Sequence, residues 1–200
     1  MAFIGMRHVV GAVLTAHTAG SEPTYGSSGS GFDIGKAISG NLTIDRNNNP
    51  LYADDAIAED DTGATGMSLE IGVDDLDEDT QASMGLLKKV TTGTGTTVDT
   101  YYENTASSKP MGVGYMRIRR KNGTTKYQGV WYYKILFARN SENTQTRSES
   151  IDWQTPTING RCVPLAIDSS GENTFRKIQN FDTESAAATW LDGLANVSRT

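Results

Sequence analysis

The chain has 200 residues, 36% of them hydrophobic, and a formal net charge of -6, which suits one well-buried domain with much polar surface. No apolar run approaches the roughly 20 residues that a membrane-spanning helix needs. Cys162 is the single cysteine, which excludes an intrachain disulfide and fits a chain made in a reducing compartment.

The N-terminal MAFIGMRHVVGAVLT carries Arg7 and His8 in its middle and lacks the basic, apolar and cleavage order of an export signal, so Ile4 to Thr15 is expected as the opening strand. Ala19 to Gly31 is a Gly/Ser-rich loop with little reason to order alone. Its glycines resemble a phosphate cradle, but a cradle needs a following helix, and the β-like Phe32–Gly35 and Ile38–Ile44 come next instead. Asp45–Pro50 is dense turn chemistry, Leu51–Ala53 a short strand, and Asp54–Gly66 a long acidic loop. Met67–Val73 alternates, with Met67, Leu69, Ile71 and Val73 inward. Asp75–Leu87 is expected to hold a short helix with carboxylates near its start, and Ala82, Met84 and Leu86 toward the core. Val90–Thr100 is expected as a hairpin or flap, and Tyr101–Lys109 as a loop.

Met111–Arg139 forms the clearest element: two long strands around Asn122-Gly123, a pair suited to the positive φ angles of a type I′ turn. A two-residue turn sets Lys121 opposite Thr124, and then Arg119 opposite Lys126, Ile118 opposite Tyr127, and Arg117 opposite Gln128. One face collects Met116, Ile118, Tyr127, Trp131, Tyr133, Ile135 and Phe137; the other collects Arg117, Arg119, Lys126 and Gln128. A polar tract runs on to Ser148. Ile151–Ile158 is then expected as a strand that turns at Asn159-Gly160 into Arg161–Ile167, with Pro156 and Pro164 placing this second hairpin at a sheet edge. Asp182 is expected to cap a last helix through Leu191, with Ala187, Trp190, Leu191 and Leu194 on one side and Gly193 near its end. The expected core is Ile118, Tyr127, Trp131, Tyr133, Ile135, Trp153 and Trp190.

Catalytic chemistry finds little support. His8 and His17 lack a neighbouring cysteine or carboxylate pair at a ligand spacing, Cys162 has no motif tying it to a histidine, and no G-x-S-x-G elbow occurs. Asp75, Asp77 and Asp79 imitate a calcium loop, but Thr80 and Leu86 occupy the positions of its glycine and glutamate; Asp45, Asn47 and Asn49 fail in the same way at Pro50 and Ala56. The chain is therefore expected not to be an enzyme, and no cofactor or metal is assigned.

Charge is strongly segregated. Asp54, Asp55, Glu59, Asp60 and Asp61 begin a carboxylate run that extends to Asp79, with no Lys or Arg between Arg46 and Lys88. That is unlike a nucleic-acid reader, which shows a basic surplus. Two-signed surfaces dock copies of a chain to one another, and Arg119 opposite Lys126 is a like-charge pair that asks for carboxylates. The acidic residues within Asp54–Asp61 are therefore expected to meet Arg117, Arg119 or Lys126 on a neighbouring subunit or ring, the alternative being a solvated acidic loop.

Several segments, in order and spacing along most of the chain, resemble the major tail protein (tail tube protein) family of long-tailed, non-contractile bacteriophages. They are LYADDAIAED from Leu51, LEIGVDDL from Leu69, GVGYMR from Gly112, KNGTTKY from Lys121, VWYYK from Val130 and ESIDWQTPTING from Glu149. The resemblance implies a mainly β fold, an antiparallel β-sandwich or partial barrel with one or two short helices and long loops, as a single domain over 1–200 without a C-terminal immunoglobulin-like addition. It further implies six-fold rings that stack into a hollow conduit for DNA, with tape-measure, terminator and tail-tip proteins as other partners. Such a chain is assembled in the host cytoplasm, resides in the virion tail and does not insert into a membrane. A conduit must avoid gripping DNA, since each neutralised phosphate adds affinity, and the acidic balance agrees with that. The alternative from the same residues is a β-sandwich binding module for carbohydrate or a receptor, with calcium held by the acidic loops.

Overall fold

A computed structural model describes residues 2–46, 49–53, 56–61, 63–93, 97–103, 108–138 and 155–199. The fold is mainly β, built of antiparallel sheets with long loops and two helices, and it resembles a sandwich without a closed barrel. The chain runs through β1 (Ala2–Ala16), β2 (Thr24–Tyr25), β3 (Phe32–Gly35), β4 (Ala37–Arg46), β5 (Asn49–Ala53), β6 (Ala56–Asp61), β7 (Ala64–Val73) and α1 (Glu78–Met84). It continues through β8 (Leu87–Thr92), β9 (Val98–Glu103), β10 (Met111–Lys121), β11 (Thr124–Ala138), β12 (Thr157–Cys162), β13 (Leu165–Ala166), β14 (Asn173–Thr174), β15 (Arg176–Phe181) and α2 (Glu184–Ala195). The main sheet has the order β2-β1-β10-β11-β12-β7-β4, with β3 added to β1 and β15 to β11.

The β10–β11 hairpin lies at its centre, in the expected register from Lys121↔Thr124 to Met116↔Gly129. Asn122 and Gly123 have φ of 49° and 78°, as a type I′ turn demands. Further from the turn, strict alternation fails. Between Tyr132 and Ile135 β11 advances one residue more than β10 does between Val113 and Met111. This bulge reverses the facing of the residues beyond it. Trp131 and Tyr133 therefore pack with Met116 and α2, whereas Ile135 and Phe137 join Val113, Tyr115, Val130 and Tyr132 on the opposite face. Both faces of the hairpin are thus covered. Of the expected core, Trp131, Tyr133 and Ile135 are fully buried, Ile118, Tyr127 and Trp190 are partly buried, and Trp153 lies outside the described residues.

β11 is long enough to serve two partners in succession. It pairs with β15 from Tyr127 to Tyr132 and with β12 from Ile135 to Ala138. The expected turn at Asn159-Gly160 is absent, since both residues lie inside β12, which is hydrogen-bonded to β11 on one side and β7 on the other. Gly160 is needed there for close approach: a Cβ on it would stand 2.3 Å from Ile135 Cγ2. Pro156 and Pro164 flank this interior strand, so they do not mark an edge.

β7 buries Met67, Leu69, Ile71 and Val73 as its alternation requires. The expected loop from Asp54 to Gly66 is instead partly strand. β6 pairs with β5 from Asn49↔Asp61 to Ala53↔Ala56, next in the chain to the β4–β7 pairing that ends at Arg46↔Ala64. β5 and β6 form a two-stranded arm that pairs only with itself among the described residues. Tyr101 to Glu103, also expected as loop, belong to β9 in the β8–β9 flap.

Asp77 caps α1 by accepting the Thr80 N–H, and Gly85 closes it in the left-handed region. α2 is capped by Thr183, one residue after the expected Asp182. It continues past Gly193 to Asn196, which closes it at φ 55°. Ala187, Leu191 and Ala195 of α2 cover the second core cluster with Val10, Ala12, Met116 and Leu165. The first cluster lies on the opposite side of the sheet, with Val9, Ile34, Leu69, Ile71, Val73 and Met84. The sheet curls until Met6 Sδ lies 2.6 Å from where a Gly40 Cβ would be. The β1 and β4 edges approach there without a ladder among the described residues.

The Gly/Ser-rich loop is better anchored than its composition implies. Tyr25 buries its ring against Trp131, edge-on at 5.1 Å between centroids. Its hydroxyl donates to the Tyr133 carbonyl at 2.7 Å and accepts from Trp131 Nε1 at 3.2 Å. Asn196 Nδ2 donates to the Tyr25 carbonyl at 2.6 Å, and Gly29 N–H donates to the Asn196 carbonyl at 2.8 Å. Burial pushes the Tyr25 phenol well above its ordinary range. Tyr25→Phe leaves a buried carbonyl and a buried indole N–H unpaired, so about 1–3 kcal/mol of stability should be lost. Denaturant unfolding measures this directly.

Candidate assembly surfaces

The basic face of the central hairpin continues the face of the first core cluster toward the turn, where apolar residues give way to polar ones. Arg117 Nη2 donates to Gln128 Oε1 at 2.6 Å across the β10–β11 pair. Gln128, which is buried, donates from Nε2 to Asn180 Oδ1 on β15 at 2.9 Å. Arg119 Nη1 donates to the same Asn180 oxygen at 3.3 Å. These contacts form a polar ladder across three strands. Both guanidinium groups also lie over the ring of Phe3, at 4.3 Å and 5.6 Å from its centroid. Phe3 is itself half-exposed, at 51%. The Nε atoms of Arg117 and Arg119 are shielded from solvent and have no hydrogen-bond partner among the described residues.

Lys126, opposite Arg119, has found its carboxylate within the chain, because its ammonium pairs with Asp182 just beyond β15. The expected acidic partners stand elsewhere in the fold. Glu59, Asp60 and Asp61 lie on β6, opposite Leu51, Pro50 and Asn49; Asp54 and Asp55 are outside the described residues. The carboxylates of the imitation calcium loop have other work. Asp77 caps α1, and Asp79 accepts from Lys89 Nζ at 2.7 Å and Tyr101 OH at 2.8 Å, bracing the flap to the helix. The hydrogen bonds from Lys89 and then Tyr101 hold the Asp79 carboxyl below its ordinary range. Among the described residues no group of three or more His, Cys, Asp and Glu is placed to hold a metal ion. Cys162 is buried on β12, and burial pushes its thiol up to about 12.

A second exposed feature is the edge formed by β4. It pairs only with β7 among the described residues, and every residue of the strand except Ala37 and Leu42 is exposed. Ile38 is 55% and Ile44 36% exposed there.

Four polar groups from three parts of the chain meet beside a bulge in β1, where His8 adopts φ 57°. His8 Nε2 lies 2.8 Å from Asp192 Oδ1. Arg199 donates to Asp192 Oδ1 at 2.9 Å and, through both Nη atoms, to the Asp33 carboxylate at 2.7 and 2.8 Å. The fork therefore ties β3, α2 and the segment after α2 together. The cluster borders a cleft of about 640 Å³ that Arg7, Lys36 and Asp74 also line. Sequence spacing gave no sign of it, because 184 positions separate His8 from Asp192.

Burial alone would raise the Asp192 carboxyl, but hydrogen bonds from Arg199 and His8 outweigh it and hold the group below its ordinary value. A carboxylate depressed on folding stabilises the fold at pH above its unfolded value, near 3.9, and loses that contribution as pH falls through the folded value. Asp192→Asn should therefore destabilise the protein most at neutral pH, and the gap from the unmodified chain should shrink below about pH 4. Unfolding midpoints across a pH series measure it.

No family model matches the chain, and no curated protein matches it.

Proposed function

We propose that this chain is a structural subunit that assembles with copies of itself into six-fold rings stacked as a hollow tube, the tail tube of a long-tailed bacteriophage. The observation that carries the reading is the open β4 edge. A ten-residue strand whose outer side forms no ladder among the described residues, approached only near Gly40 by β1, is a template for another strand, and soluble monomers blunt such edges with charge, proline or a covering element. Joining sheets around a ring removes the edge. The β5–β6 arm, paired only with itself among the described residues, fits a contact reaching beyond the subunit's own sheet. The resemblance of the strand and turn segments to major tail proteins supplies the specific form of assembly and the partners: tape-measure, terminator and tail-tip proteins, with double-stranded DNA passing through. Residence in the virion tail after assembly in the host cytoplasm belongs to the same reading.

Negative-stain imaging and sedimentation of the concentrated protein test it. Rings or tubes are expected, with the monomer fraction falling as concentration rises. A chain that stays monomeric throughout the millimolar range overturns the proposal.

A further inference from the structure

We infer that Arg117 and Arg119 form the seat for the acidic β6 segment, Glu59 to Asp61, of a second copy of this chain. The inference deepens the proposed self-assembly and rests on it.

Three observations converge on the seat. First, its charge is uncompensated among the described residues: the side-chain partners of Arg117 and Arg119 there are the neutral amides of Gln128 and Asn180, whereas the neighbouring Lys126 is already paired with Asp182. Second, the two guanidiniums are held in place. Cross-strand amide bonds and the shared Phe3 ring fix them, so little side-chain freedom remains to be lost on binding. Third, each Nε is shielded from solvent without a partner among the described residues, which leaves part of the desolvation of each guanidinium without compensation; charge-assisted bonds from the Nη atoms to carboxylates would supply it.

The occupant follows from the chain's own charge. β6 carries three successive carboxylates in a stretch with no Lys or Arg from residue 47 to residue 87, on an arm whose strands pair only with each other among the described residues. Attraction between such surfaces orients the encounter and sets the register. Phosphate is the competing anion, but nucleic-acid surfaces add rings on which bases stack. Here both arginines lie over Phe3, a single half-exposed ring, and Trp131 is buried on the opposite face.

Two charge reversals provide the test: Arg117→Glu with Arg119→Glu, and Asp60→Lys with Asp61→Lys. Each alone should raise the concentration needed for assembly roughly tenfold or more, and an equimolar mixture of the two should restore it, because each then offers what the other lacks. A second measurement does not depend on those variants folding. In Arg119→Lys, zero-length carbodiimide coupling followed by peptide mapping of mixed heavy- and light-isotope chains should join position 119 of one chain to the β6 peptide of another. If the unmodified chain never self-associates, this inference and the tube reading fall together. If it assembles and the reversed variants assemble equally well, or the coupling joins position 119 to another segment, the inference falls and the tube reading stands. If the unmodified chain binds a labelled DNA duplex at 150 mM salt and the arginine variants lose that binding while still assembling, the seat belongs to phosphate and the inference is overturned.

Discussion

Trp131→Ala is expected to cost about 3–5 kcal/mol, a large share of the roughly 5–15 kcal/mol by which a domain is folded. Trp131 is fully buried in the cluster that joins the central hairpin to α2. Two glycines on the facing strand make room for its indole: a Cβ on Gly112 would stand 2.4 Å from Trp131 Cζ2, and one on Gly114 would stand 2.6 Å from Cε3. The strand cannot collapse into the hole that alanine leaves, so the cavity term adds to the lost transfer free energy. The substitution also strips the Tyr25 hydroxyl of its indole donor and loosens the anchor of the Gly/Ser-rich loop. Denaturant unfolding should show a large fall in midpoint with little change in slope. Trp131→Phe, which keeps most of the ring but not the N–H, should cost distinctly less. Equal losses in the two variants would mean that the hydrogen bond, and not the packing, dominates.

Gly160→Ala is expected to destabilise by about 1–3 kcal/mol although it adds a single methyl group. The added carbon would meet Ile135 Cγ2 at 2.3 Å and Phe137 Cε1 at 2.8 Å. β12 cannot shift away, because β11 and β7 hold it from both sides. Ile135 is β-branched and fully buried, so it has no alternative rotamer to yield into. Removing the Cγ2 branch should relieve the clash: the double variant Gly160→Ala, Ile135→Leu should lose less than the sum of the two single costs. Thermal melts of the four proteins in that cycle measure the coupling. Simple additivity would show that the methyl group is accommodated elsewhere.

The elements legible in the sequence are those whose determinants are local. The Asn122-Gly123 turn and the alternation on either side fix the register of the hairpin near its tip, and β7 declares its buried face by period alone. The same reasoning fails at Asn159-Gly160. That dipeptide carries the same turn signal, but pairing with two flanking strands keeps it extended. It fails again at Ile135 and Phe137, because a count by twos cannot register one extra residue between Tyr132 and Ile135. β6 is hidden for a third reason: Asp and Glu disfavour strands intrinsically, and the pairing with β5 overrides them. Of the candidate contact residues, the sequence brings out Arg117 and Arg119 through their shared face. The partner of Lys126 is Asp182, 56 positions away and on another element, and nothing short of the fold connects them.

The distances in sequence between paired strands also bear on how the protein folds. The β10–β11, β5–β6, β8–β9 and β13–β14 pairs are near neighbours in the chain, but β1 must find β10, β12 must find β7, and α2 must return to cover β1 and β10. Each of those closures spends chain entropy before any contact repays it, which sets such topologies among the slower folders, in milliseconds to seconds. The central hairpin, with its preformed turn, is the natural first structure, and the cluster around Trp131 closes only once residues near 190 have been synthesised. During translation the chain therefore presents a half-covered sheet until α2 has emerged, an interval in which its strands are open to pairing with the wrong copy.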